Sequence, residues 1–361
     1  MTPACLAPWT HLFHHSDGAV YPCCRFAGDA EFSVSDTTTP IQDAWNSHRM
    51  RMFRKRMLEG DLPATCKECI APHIGFHRVF DRWQSNTDFS KTADDGEFPL
   101  NYQMFNVTAS NICNFRCIYC RHDYSSQIVD AATNKPRVMK SFDSPDAFKR
   151  YFDPLLESVD MFVFAGGESA IQDDFYWLLN ELLARKLTHK KVYFVTNLST
   201  LKHKNQHIGE ILSNFSDATI AASIDGSAGI GYIQRTGTRW STITANRVEL
   251  LNYPSVRFGL QSVLTCYSIL DLPNFHKQWV DKGWLTVSGI RYIVLTDPPE
   301  LSIRRVGYTS KNTTVDLANR LADYYDYLSQ DNDPYFNGEP AKDKIAKITQ
   351  FILDGDEYRN Q

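Results

Sequence analysis

Cys113-Asn-Phe-Arg-Cys117-Ile-Tyr-Cys120 places three thiols within eight residues, directly after the apolar run Tyr102 to Thr108. Structural metal sites close with four protein ligands, whereas a site that keeps one position open is where a metal or cluster meets a substrate. Thiols at C-x3-C-x2-C leave one position open, which points to chemistry at a soft metal centre, iron and sulfur included. A zinc site or three packed cysteines is the plainer alternative.

Cys5, Cys23, Cys24, Cys66 and Cys69 precede this stretch, and Cys266 follows it. No apolar stretch reaches the ~20 residues that span a bilayer, and the N-terminus has neither a basic n-region nor an apolar h-region. The expected location is cytoplasmic, with no membrane association, and thiols there serve as metal or cluster ligands rather than disulfides. A net charge of -4 lacks the basic surplus of proteins that track phosphates, which disfavours nucleic acid as a partner.

The elements that must position the thiols follow from periodicity. Short runs rich in β-branched and aromatic residues at 102–108, 160–165, 191–196, 218–224, 256–264 and 288–295 read as strands. Segments near 144–158, 172–186, 204–214, 239–252 and 270–282 carry apolar residues at helical spacing. Strand alternating with helix means parallel βα units, too few for a closed eight-fold barrel but enough for an open one. The fold class is α/β: a partial (β/α)6 TIM-like barrel at 101–297, preceded by a small Cys-rich domain at 1–83 and a polar linker at 84–100, and followed by a helical extension at 298–361. Reactive groups gather at the carboxyl ends of parallel strands, so the residues just after each run are the candidates.

Placed after the first barrel strand, the trio Cys113, Cys117 and Cys120, with Tyr119 before its last member, resembles the signature of the radical S-adenosylmethionine (radical SAM) superfamily. The resemblance implies a 4Fe-4S cluster on these three thiolates, its remaining iron chelated by SAM, with Tyr119 beside the cofactor. Gly166-Gly167-Glu168, ending the second strand run, is similar to the family's GGE motif, which contacts the SAM amino group. Taken alone, Gly-Gly-Glu is an ordinary turn. Asn197, Ser223 and Arg235 stand after later strands, where the family contacts SAM, and Asp225 is a substrate contact or a turn former. Capping and turn roles are the alternatives.

The wording around Cys5-Leu-Ala-Pro-Trp9, Gly18-x4-Cys23-Cys24, Trp45-Asn-Ser and Cys66-Lys-Glu-Cys69 resembles the SPASM/twitch auxiliary-cluster domain. That implies a second, auxiliary 4Fe-4S cluster, assigned to Cys5, Cys23, Cys66 and Cys69 with Cys24 spare; a zinc site is the competing reading. In the relatives this domain follows the barrel, whereas here it precedes it.

The family's chemistry implies reductive cleavage of SAM to a 5′-deoxyadenosyl radical and hydrogen abstraction from a peptide or protein side chain. The implied partners are that substrate and an electron donor such as flavodoxin or ferredoxin. Two readings compete: radical oxidation or rearrangement of a small-molecule metabolite, and a non-enzymatic iron-sulfur or zinc electron-transfer protein. Elsewhere, His48 to Arg56 is expected as a helix with Met50, Phe53 and Met57 inward, His14 and His15 as ligands or surface residues, and Cys266 as a buried thiol.

Overall fold

The computed structural model describes residue 3 and residues 5–70, 87–295, 297–303, 305, 311–329 and 341–354. Nine strands form one sheet: β1 (His11–His14), β2 (Ala19–Tyr21), β3 (Ser35–Asp36), β4 (Met104–Val107), β5 (Met161–Phe164), β6 (Lys191–Thr196), β7 (Asp217–Ala222), β8 (Val256–Leu264) and β9 (Ile290–Val294). Their order is β9-β8-β7-β6-β5-β4-β1-β2-β3. From β4 to β9 every neighbour is parallel and the chain order is kept, the arrangement of a six-unit open barrel.

Each crossover is helical: Pro145–Phe152, Asp173–Ala184, Ile208–Leu212, Trp240–Leu250 and Leu272–Asp281 link the six strands in turn. Asp173–Ala184 buries Phe175, Leu178, Leu179 and Leu182 at the spacing that one helix face requires. After β9, the helices Lys311–Leu328 and Ala341–Asp354 place Leu317, Leu321, Tyr324, Leu328, Ile345 and Ile348 in the same hydrophobic core. The turn-rich residues 331–334 lie outside the described residues.

The N-terminal segment is built onto the barrel. β1 pairs in parallel with β4, His11 opposite Met104 through His14 opposite Val107, and β2 and β3 add antiparallel strands beyond it. Nothing in the sequence pattern announces β1. All four of its residues are buried, so the alternation that marks a half-exposed strand is missing, and two of the four are histidines. His14 and His15 are accordingly not surface residues. His14 stacks on Phe142 at 5.3 Å within a box completed by Tyr151 and Phe152. His15 sits between Asp17 (3.1 Å) and Asp123 (3.5 Å).

The basic run forms the expected helix, His48–Glu59, capped by Ser47 and ended by Gly60 with φ of 78°. Met50, Phe53 and Met57 face the core, and Arg54 joins them. Its guanidinium lies 4.7 Å from the Trp45 ring and donates to the carbonyls of Pro8 and Trp45, so this arginine is a structural tie rather than a solvated charge. The stretch expected as a linker is no free spacer from Thr87 onward. Trp45 donates to the carbonyl of Phe98 and Trp9 to Thr92, pinning it to the N-terminal segment. Residues 71–86, which include the end of the expected N-terminal domain and the start of that linker, lie outside the described residues.

Candidate functional site

The cysteine loop leaves β4 and is held by groups the sequence reading passed over. Buried Asn111 donates to the carbonyls of His122 (2.7 Å) and Arg137 (2.9 Å) and accepts from the Met139 amide, tying both flanks of the loop together. Ser125 donates to the Phe115 carbonyl (2.8 Å), and Ser126 accepts from the Cys113 amide (3.2 Å). An Asn after a strand and two Ser after a motif are common turn residues, so no local signal sets them apart.

Gly166 and Gly167 have φ of 86° and 55°, the left-handed region that favours glycine. A Cβ on Gly166 would stand 2.0 Å from Thr108 Cγ2, and one on Gly167 would stand 2.2 Å from the Ile112 carbonyl oxygen. The close approach these glycines permit is therefore that of the chain's own cysteine loop. Backbone bonds seal it, Gly167 N–H to Tyr124 O (3.1 Å) and Glu168 N–H to Ile112 O (2.8 Å). Glu168 is buried, and its carboxylate accepts from Thr196 Oγ1 (2.5 Å) and the amides of Asn197 (2.6 Å) and Ala170 (3.0 Å). Burial raises its pKa, against the lowering effect of these three donors.

On the far side, Arg235–Thr236 pairs antiparallel with Arg116–Cys117. This brings Arg235 Nη1 to 3.9 Å from Cys117 Sγ and its guanidinium over the Tyr119 ring at 5.5 Å. Asp225 holds it there. One carboxylate oxygen accepts from Arg235 Nη2 and the Val263 amide, the other from Arg235 Nε, Gln234 Nε2 and the Tyr119 hydroxyl, at 2.5–2.9 Å. With both oxygens engaged, the Asp225 carboxylate positions Arg235 and Tyr119. Asn197 reaches the loop, donating to Asn114 Oδ1 at 2.8 Å, and Ser223 extends the row of interior-facing residues of β7.

Burial first, and then the neighbouring negative charges, raise the pKa of Cys113 to about 11 and of Cys120 to about 12. Cys117 is raised as well, again by burial first, with Arg235 opposing. The charges of Cys113 and Cys117 both act on Cys120, so the three thiols share one neighbourhood. Neutral thiols crowded together in a low-dielectric loop are the donor set that bound cationic iron converts to thiolates. Among the described residues, no three His, Cys, Asp or Glu converge tightly enough to chelate a single metal ion. Three thiols with one position left open fit a centre that takes its remaining ligand from a bound molecule.

In the N-terminal segment, burial first, then the charges of Cys24, Cys5 and Cys66, push Cys23 well up, and Cys66 rises to about 11 through burial and Cys69. Cys24, Cys5 and Cys66 thus lie within electrostatic reach of Cys23, and Cys69 within reach of Cys66. Cys24 is exposed, and the cations acting on its thiol are Arg25 and Arg291. Cys266 is half-buried against the turn at 299–301, with its thiol 3.9 Å from the Glu300 carbonyl.

Residues 5–70, which contain all five N-terminal cysteines, match the SPASM model, an iron-sulfur cluster-binding domain. No curated protein is similar to the chain in sequence. Among solved structures it is similar to native anSMEcpe with bound AdoMet, at 18% identity over 63% of this chain and 60% of that one, with a TM-score of 0.44. It is also similar to Streptococcus suis SuiB bound to S-adenosylmethionine, at 14% identity over 78% of this chain and 60% of that one, with a TM-score of 0.45. The SuiB structure bound to precursor peptide SuiA matches at 15% identity over the same shares of each chain, with a TM-score of 0.41. The chain thus spans about three-fifths of the length of these proteins.

Proposed function

We propose that this chain is a radical SAM enzyme that oxidatively modifies a peptide or protein side chain. The observation that carries the reading is the open thiol trio at the carboxyl end of β4, clamped between the Gly166-Gly167-Glu168 turn and the Asp225–Arg235 pair. Cys113, Cys117 and Cys120 would hold a 4Fe-4S cluster, and Gly166, Gly167, Glu168, Asn197, Ser223, Arg235 and Tyr119 would frame the SAM site. Cys5, Cys23, Cys66 and Cys69 would hold the auxiliary cluster that the SPASM match indicates. When bound, cluster and SAM together supply reductive cleavage to a 5′-deoxyadenosyl radical that takes a hydrogen atom from substrate.

The chain's own part is positional. The loop clamp fixes three donors on a rigid scaffold, and Arg235 places positive charge beside the Cys117 sulfur, where hydrogen bonding influences cluster potential. The parallel sheet presents its interior to the thiols, so a substrate held there is shielded from water while a reactive intermediate exists. The auxiliary domain built onto β4 favours a peptide-type substrate over a small metabolite, as the SPASM resemblance implies, and an electron donor such as flavodoxin or ferredoxin would supply the reducing equivalent.

Iron analysis of a variant carrying Cys113→Ala, Cys117→Ala and Cys120→Ala tests the two-site assignment. The variant should lose the iron of the barrel site and keep that of residues 5–70. Loss of all iron, with zinc in its place at the N-terminal cysteines, would contradict the auxiliary cluster.

A further inference from the structure

The barrel interior contains a cation, Arg291, whose side chain has no hydrogen-bond or ion-pair partner among the described residues. Along β9, Ile290, Tyr292 and Val294 are buried in the outer core, where the Tyr292 hydroxyl meets that of Tyr324 from the helix Lys311–Leu328 at 2.7 Å. Alternation then turns Arg291 and Ile293 to the interior, where both are half-buried. In register beside Arg291 on β8 is Gln261, and the Ala222–Leu260 pairing continues to put Ser223 beside Gln261. These three polar side chains form one row that runs from Ser223, just past the carboxyl end of β7, through Gln261 in the middle of β8 to Arg291 on β9. Among the described residues, none of the three has a side-chain hydrogen bond or ion pair.

Three other arginines of the barrel and its loops have carboxylate partners. Arg235 is paired with Asp225, Arg257 with Asp217, and Arg121 with Asp123. Arg291 is left with the Cys24 thiol, a weak acceptor, within reach of its charge. A guanidinium half-withdrawn from water with no acceptor is costly, and a carboxylate returns that cost through a bidentate, charge-assisted pair.

We infer that Arg291, with Gln261 beside it, is a recognition site for a carboxylate on the substrate. The row runs from Ser223, which the proposed function places at SAM, to Arg291 on the last strand. A substrate anchored at Arg291 would therefore lie along this row toward Ser223. This rests on the proposed function for its meaning but not for its test.

The test is binding to the anaerobically reconstituted full chain in the presence of saturating SAM, followed by saturation-transfer NMR. The probes are N-acetylglutamate α-amide, carrying a side-chain carboxylate, N-acetylalanine, carrying a terminal one, and neutral N-acetylglutamine amide. At least one carboxylate probe should bind in preference to the neutral one, and which of the two does identifies the kind of carboxylate recognised. Arg291→Gln should weaken that probe about tenfold, and Arg291→Glu should reverse the preference toward N-acetyllysine amide, a result that a merely structural role would not give. Equal binding of charged and neutral probes, or unchanged preference in both variants, would overturn the inference. If Arg291→Glu does not fold, Arg291→Lys serves: it should keep a weakened carboxylate preference, and its indifference to charge would equally overturn the site. A wild-type chain that cleaves SAM without discriminating the probes defeats this site alone, whereas one that discriminates them without cleaving SAM defeats the proposed function alone.

Discussion

Asp225 carries more of the site than any other single side chain. Its five donors come from three separate parts of the chain: Tyr119 in the cysteine loop, Gln234 and Arg235 ahead of Gly237, and the Val263 amide on β8. Removing the carboxylate leaves Arg235, 8% exposed, as an unpaired charge against Cys117 and the Tyr119 ring. Truncating one partner of such a buried pair costs about 3–5 kcal/mol. Asp225→Ala should therefore lower the urea midpoint by that equivalent and reduce iron retention at the barrel site. Asp225→Asn, which keeps acceptor capacity on one oxygen, should lose less. Unchanged stability in Asp225→Ala would mean that the pair does not hold the loop.

At the scale of elements, β1 is where local patterning and tertiary structure part company. The six barrel strands and their helices were legible because β-branched runs alternate with amphipathic segments, and the trio was legible because its spacing is confined to eight residues. His11-Leu-Phe-His14 gave no such signal, since it is covered on both faces. The Asp225–Arg235 clamp was equally hidden: Cys117 and Arg235 are 118 residues apart, and only the strand pairing brings them together. Burying β1 has a cost that pH reveals. Burial lowers the pKa of both His11 and His14 to about 3, so the native state keeps them neutral while the unfolded chain takes up protons below about pH 6.5. The unfolded state binds more protons there, so stability is present above that pH and is lost as pH falls, by about 3 kcal/mol per pH unit for the two together. The urea midpoint should drop between pH 7 and pH 5, and His14→Phe, which suits a box of aromatic rings, should remove about half of the slope. An identical slope in wild type and variant would contradict the burial of a neutral ring.

The whole molecule joins two cysteine sets through one sheet. Residues 5–70 contribute β1 to the open edge at β4, and the charge of Arg291 on β9 acts on Cys24 of the same segment. A separate domain tethered by a spacer would not pair a strand with the barrel sheet. This arrangement places the auxiliary cysteines beside the barrel, not behind it, and gives the cysteine loop a fixed frame in which one open coordination position has chemical meaning. On the proposed function, this position binds and cleaves SAM. The measurement that tests it is 5′-deoxyadenosine production by the anaerobically reconstituted full chain given SAM and dithionite, with the Cys113→Ala, Cys117→Ala, Cys120→Ala variant as control. The wild type should yield 5′-deoxyadenosine and the variant none; a wild type that retains its iron but yields no 5′-deoxyadenosine would contradict SAM cleavage at this site.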